Sequence, residues 1–182
     1  MTDDQFFDFC QLNRDLQMER TAEGDILITS PSGGEASAQN MELSGQLRDW
    51  AKRDRVGVAF DSSGGFILPN KATRSPDASW VLKARLQSLG REQKQKFLSF
   101  CPDFVAELRS PTDRLARLKE KVEEYRDNGA RLGWLIDAVE RKVHLYRPGV
   151  EVETLDNPQT VSGAPVLPGF VLELGEIWEP AL

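Results

Sequence analysis

The chain has a single histidine, His144, among 182 residues. That excludes catalysis by paired histidines and any zinc site built on several of them. Its two cysteines, Cys10 and Cys101, stand far apart and match no zinc spacing. Each reads as a free buried thiol, which suits a reducing cytoplasm. No apolar run approaches the roughly 20 residues a membrane helix needs. The opening MTDDQFFDFCQ carries acids where a secretory signal carries bases. A G-x-S-x-G elbow, a Walker loop and a dinucleotide fingerprint are all missing. Residues 151–182 contain no Lys or Arg, and their acids (Glu151, Glu153, Asp156, Glu173, Glu176, Glu179) account for the whole formal charge of −6. Residues 1–150 are therefore balanced, which excludes a generally basic nucleic-acid-binding surface. One local concentration of bases, Lys83, Arg85, Arg91, Lys94 and Lys96 against Glu92, reads either as a solvated face or as a phosphate-binding patch.

What is present is a soluble globular composition, 40% hydrophobic and 29% charged, long enough for one domain over residues 1–182 with an acidic β extension from about residue 150. Phe6, Phe9, Cys10 and Asn13 recur at helical spacing, so residues 3–14 are predicted to be a helix capped by Asp3 or Asp4. A hairpin follows, turning at Glu23-Gly24-Asp25. Glu19 falls on the polar face of its first strand, where a lone acid is ordinarily solvated. A helix from Glu35 to Lys52 presents Ala36, Leu43, Leu47 and Trp50 on one face, with Asn40 among them as a core hydrogen-bonding group. Gly57–Asp61 and Phe66–Leu68 read as strands around a Ser-Ser-Gly-Gly turn.

Ala78–Leu82 is a strand with Asp77 at its mouth, and residues 83–100 read as mostly helical up to Pro102. Phe104-Val105-Ala106-Glu107-Leu108 is apolar apart from its glutamate, as in a strand buried on both faces. Ser110-Pro111-Thr112-Asp113 has the form of a capping box. Leu115, Leu118, Val122 and Tyr125 then form a helical stripe closed by Asn128-Gly129. With the strand Leu132–Ile136 this makes a strand–helix–strand unit, parallel and right-handed. Lys142–Tyr146 alternates like an antiparallel edge strand, and Val152–Leu155, Pro165–Leu167, Val171–Leu174 and Ile177-Trp178 read as short strands after it. The class is α/β, with a mixed sheet, helices on its faces and an antiparallel extension.

Glu107 is the residue that asks for an explanation. A carboxylate in a doubly buried strand is costly unless paired, protonated or bound to a cation. Arg109 points to the same face and offers an internal ion pair. The alternative is a ligand site, because open α/β sheets bind at the C-terminal ends of their strands. Asp77 would add a second carboxylate at that mouth, and two converging carboxylates repel unless a proton or a divalent ion lies between them. Oxygen ligands alone suit Mg²⁺ or Mn²⁺. Lys121 lies about 80° from the centre of the helical stripe at 100° per residue. It can stay in solvent, or lie along the apolar surface and bring its ammonium to the site. His144 reads as a satisfied surface histidine.

The order Pro76-Asp77, then FVAELRSPTD with Glu107, then KVEEY with Lys121, then GWLID resembles the Uma family of putative restriction endonucleases, in the PD-(D/E)XK nuclease superfamily. The likeness runs from Met18-Glu19-Arg20 through Tyr146. It implies a restriction-endonuclease-like fold in which Asp77 and Glu107 bind Mg²⁺ and Lys121 assists hydrolysis of DNA. The superfamily usually keeps its lysine two residues after the second acid. Arg109 fills that slot here, and the helix residue Lys121 takes the role. Cutting both strands of a duplex implies a homodimer. The competing expectation is a nuclease-fold protein that binds nucleic acid or a partner without cutting.

Overall fold

A computed structural model describes residues 1–182. In chain order it contains α1 (Asp3–Leu12), β1 (Gln17–Arg20), β2 (Ile26–Thr29), α2 (Gly34–Asp54), β3 (Gly57–Asp61), β4 (Phe66–Ile67), β5 (Thr73–Arg74), β6 (Ala78–Leu82), α3 (Lys83–Gln87) and α4 (Arg91–Lys94). There follow β7 (Phe104–Arg109), α5 (Leu115–Asp127), β8 (Leu132–Asp137), β9 (Lys142–Tyr146), β10 (Glu153–Asp156), β11 (Thr160–Ser162), β12 (Val171–Glu173) and α6 (Gly175–Trp178).

Six strands form the main sheet, in the order β10-β9-β8-β7-β6-β3. Only β7 and β8 run parallel, with Glu107 beside Leu135 and Arg109 beside Asp137. Their crossover is α5, as the apolar spacing predicts. A smaller sheet, β2-β1-β5-β4, and a two-stranded pair, β11-β12, complete the set.

The period of the strands divides the main sheet into two faces. Phe104, Ala106 and Leu108 of β7 join Trp134 of β8 and Leu43, Leu47 and Trp50 of α2 in the larger core. The acidic C-terminal stretch closes that core, with Phe170, Leu172 and Trp178 packed inside it. Val105 faces the other way, toward Tyr125 of α5. A Cβ on Gly133 of β8 would lie 2.7 Å from the Val122 side chain. The bare glycine is what lets α5 sit directly on the sheet, and so fixes the height of Lys121 above Glu107.

Several local expectations are corrected. Thr2 caps α1, in a reciprocal capping box with Gln5, so Asp3 and Asp4 lie in the first turn instead. The Ser-Ser-Gly-Gly turn does not close a hairpin: β3 pairs with β6 and β4 with β5, in different sheets. Residues 83–100 form only the short α3 and α4. Phe97 there packs edge-on against Phe7, at 5.0 Å between ring centroids. Ser110 and Asp113 do bond to each other, but as a turn before the helix: Asp113 Oδ2 accepts from the Ser110 N–H at 2.8 Å and from its hydroxyl at 2.7 Å. The helix itself starts at Leu115. β9 is an inner strand covered by β10, and His144 is buried with Nδ1 2.9 Å from the Thr154 hydroxyl. Pro165–Leu167 is a turn, and Ile177-Trp178 belongs to α6.

Candidate active site

The parallel pair β7–β8 raises Glu107 from the middle of the main sheet toward α5, where it is 3% exposed. Lys121, on the flank of α5, lies along the helix and places Nζ 2.9 Å from Glu107 Oε1. The Tyr125 hydroxyl, one turn further on, donates to the same oxygen at 3.1 Å. Arg109 takes no part. Its guanidinium turns along the sheet to Asp137 on β8, at 2.8 Å. The internal pair Glu107–Arg109 does not form, because the parallel register puts a better-placed acid beside the arginine.

Asp77 stands one residue before β6, whose Ala78 pairs with Ala106 of β7. That register carries Asp77 to the position across from Glu107. Its Oδ2 accepts the Leu108 N–H at 2.7 Å, in place of a further backbone bond between the two strands. Its Oδ1 accepts from Asn40 Nδ2 at 3.3 Å. Asn40 thus reaches from α2 to hold an acid, and its own Oδ1 is buried with no partner.

A fourth contributor is Glu19, expected in solvent. The small sheet brings it inward: β1 lies between β2 and β5, and its Glu19 meets Lys121 of α5. Glu19 Oε1 lies 2.9 Å from Lys121 Nζ and accepts the Ser75 N–H at 2.8 Å. Its Oε2 lies 3.2 Å from Arg74, which in turn holds Glu124 of α5 at 2.6 Å. No local pattern marks Glu19: an acid alternating with Met18 and Arg20 looks like any half-exposed strand until the second sheet is in place.

The electrostatics follow from burial. Four carboxylates (Glu19, Asp77, Glu107, Glu124) face two cations, Lys121 and Arg74. With all of them ionised the cluster has an excess of two negative charges. Burial pushes Glu107 up to about 8, only partly countered by Lys121 and reinforced by the negative charges of Asp77 and Glu19. Asp77 is raised as well, again by burial against the pull of Lys121. Glu19 goes the other way: burial raises it, but Lys121, the Ser75 N–H and Arg74 together bring it below the ordinary glutamate value. Lys121 is held firmly protonated. Burial works against its charge, and Glu107, Glu19 and Asp77 outweigh that.

Such a cluster fits a divalent cation. The donors are all oxygens, the charge deficit equals two, and the Asn40 Oδ1 is an unpartnered buried acceptor beside Asp77. No three His, Cys, Asp or Glu side chains converge tightly enough to hold an ion by themselves. Magnesium sites of the substrate-assisted kind need only one or two carboxylates, with waters and phosphate completing the shell.

Comparison with known proteins identifies the family and the fold. The model of a family described as Uma2, putative restriction endonuclease, matches residues 3–175. No curated protein matches the sequence. Among solved structures the chain is similar to the crystal structure of a putative nuclease belonging to DUF820 from Anabaena variabilis. The TM-score is 0.74, with 23% identity over 88% of this chain and 89% of that one. At that identity the likeness speaks for the fold.

Proposed function

Because the chain belongs to the Uma2 family of putative restriction endonucleases, we propose that it is a metal-dependent endonuclease hydrolysing phosphodiester bonds of DNA. The observation that carries this reading is the Lys121 ammonium 2.9 Å from Glu107, in a buried cluster that has two more acids than bases. Asp77 and Glu107 would hold Mg²⁺ or Mn²⁺, with Asn40 Oδ1 as a further acceptor. When bound, the ion supplies Lewis-acid activation of a water and offsets phosphate charge.

The chain's own residues do the rest. Lys121 stays charged, so it acts as a hydrogen-bond donor to the attacking oxygen and to the developing phosphorane, not as a base. Tyr125, with its hydroxyl proton secured by burial and by Glu107, fixes the glutamate's orientation. Glu19, itself held by Arg74 and the Ser75 N–H, fixes the ammonium. The rival reading, a retained scaffold that binds without cutting, draws on the balanced charge of residues 1–150 and on Arg109 in the usual lysine slot. Arg109 is engaged with Asp137, and binding without cutting in the assay below would favour the scaffold.

The test is incubation of the purified protein with supercoiled plasmid, linear duplex, single-stranded DNA and RNA, in Mg²⁺, Mn²⁺ or EDTA. Ion-dependent cutting of DNA is expected, abolished by EDTA and by Asp77→Asn. No cutting under any condition, together with no Mg²⁺ or Mn²⁺ binding by calorimetry, would refute it.

Residues 1–182 are taken as one nuclease domain, and the two free thiols suit the cytoplasm. No helix is long and apolar enough to cross a membrane. We also read the enzyme as a homodimer. The edge strand β2 leaves Ile26, Leu27 and Ile28 exposed at 38%, 38% and 59%, with one backbone edge unpaired. Antiparallel pairing with a second copy would set Leu27 against Ile28, Ile26 against Thr29 and Asp25 against Ser30, so no like charges meet. Ile28→Lys is expected to convert a dimer to a monomer in light scattering, without lowering the melting temperature by more than a few degrees. A monomeric parent protein would end this reading.

A further inference from the structure

The flank of α5 that carries Lys121 has a second part. At Lys121 and Glu124 it lies against the small sheet, through Glu19 and Arg74. Four and seven residues before Lys121, on the same flank, stand Arg117 and Arg114. Both are exposed. The ion pairs of α5 are made by Lys121, Glu124 and Arg126; Arg114 and Arg117 make none. They differ in this from Arg20, Arg74, Arg85 and Arg109, which are spent on internal acid partners. Of the acids nearest in sequence, Asp113 is committed to the Ser110 N–H and hydroxyl, and Glu120, three residues after Arg117, is exposed and forms no ion pair with it. The result is a one-sided basic stripe that starts in solvent at Arg114 and ends at the buried ammonium beside Glu107.

We propose that Arg114 and Arg117 form the phosphate track of the substrate site, binding the sugar–phosphate backbone of one nucleic-acid strand and leading a phosphodiester to Lys121. The inference rests on the nuclease reading above and adds where the substrate lies. From Arg114, the residue that caps α5, to Lys121 the chain rises about 10 Å at 1.5 Å per residue. That length matches about three phosphates of one strand, at about 3.4 Å per nucleotide. Guanidinium groups suit the role, because each forks onto two phosphate oxygens and never loses its charge. The stripe explains how a protein without a basic face can engage a polyanion: the positive charge is concentrated at the mouth of the acidic cluster. By contrast, the other basic concentration is partly spent on internal partners. Lys83 donates to the Arg55 carbonyl, Arg85 pairs with Asp103, and Lys96 pairs with Asp4.

Binding of a fluorescein-labelled 20-base duplex and its single strand is measured by anisotropy in EDTA, across a salt series, for the full chain. The double variant Arg114→Gln/Arg117→Gln is expected to bind at least 10-fold more weakly near 50 mM salt. Its log–log salt slope should be shallower by about 2. Arg91→Gln/Lys94→Gln should leave affinity and slope unchanged, and circular dichroism should show both doubles folded. If the parent protein binds or cuts DNA and the arginine double behaves identically, the phosphate track is wrong while the nuclease reading stands. If the parent neither binds nor cuts, the nuclease reading fails and the track with it. Equal binding of polyglutamate, lost in the same double, would assign the stripe to acidic peptides and overturn the proposal.

Discussion

Glu107→Gln is expected to abolish cleavage, by about 10³-fold or more, and to leave the metal-free protein as stable as the parent or more so. The two effects have one cause. Glu107 is buried with more negative than positive charge around it, and its carboxyl is pushed up to about 8. Without a cation it is therefore largely protonated at neutral pH, and glutamine copies that state in shape and in neutrality. Between its ordinary value near 4.5 and about 8, the folded protein holds a proton that the unfolded chain has released. Metal-free stability must then fall as pH rises through that window and level off above it. Asp77, also raised, adds to the same slope. Melting temperatures of parent and variant in EDTA from pH 5 to 9 measure this. The curves should converge near pH 5 and separate toward pH 9, with the variant higher. A variant that melts lower at pH 9, or that still cuts, contradicts the assignment of Glu107.

Lys121→Met should produce the opposite combination, a loss of both activity and stability. Removing one member of a buried ion pair strands the other, at a typical cost of about 3–5 kcal/mol. Here the cost divides unevenly. Glu107 escapes by keeping its proton, whereas Glu19 is held ionised by Lys121, Ser75 and Arg74 and keeps only the last two. The expected loss is about 3 kcal/mol at pH 8 and less at pH 6. Adding Glu19→Gln should recover a good part of it, since the stranded charge is then gone. Cleavage should fall by about 10²–10³-fold and not return in the double variant. Urea denaturation at the two pH values, with plasmid nicking alongside, reads all of these quantities. Unchanged nicking by Lys121→Met would remove the ammonium from the mechanism.

Much of this was legible in the primary structure because it is local. The strand–helix–strand from Phe104 to Asp137 follows from apolar periodicity, a glycine C-cap and an expensive glutamate. Strand β6 has the predicted limits, with Asp77 just outside it. What sequence alone could not supply depends on contacts between distant segments. Glu19 has no distinguishing neighbours; its role exists only because β1 pairs with β5 and both lie against α5. The helical spacing puts Asn40 on the inner face of α2, yet its partner is an aspartate 37 residues away. Tyr125 was assigned to the apolar stripe, and its ring is buried there, while its hydroxyl serves Glu107. The basic run at 83–96 misled because composition favours a helix, whereas the chain must turn repeatedly to bring Phe97 against Phe7.

The lysine stands on a helix and the acids come from β1, β7 and the residue just before β6, so the cluster exists only in the whole fold. Glu19, Asp77, Glu107 and Lys121 arrive from β1, the mouth of β6, β7 and α5, and no two of them share an element. The cluster is complete only where Glu19 of the small sheet meets Lys121 and Asp77 accepts the Leu108 N–H. For the endonuclease proposed above, a cluster assembled only by the complete fold would act as a safety catch, one that local melting of the N-terminal hairpin would set again.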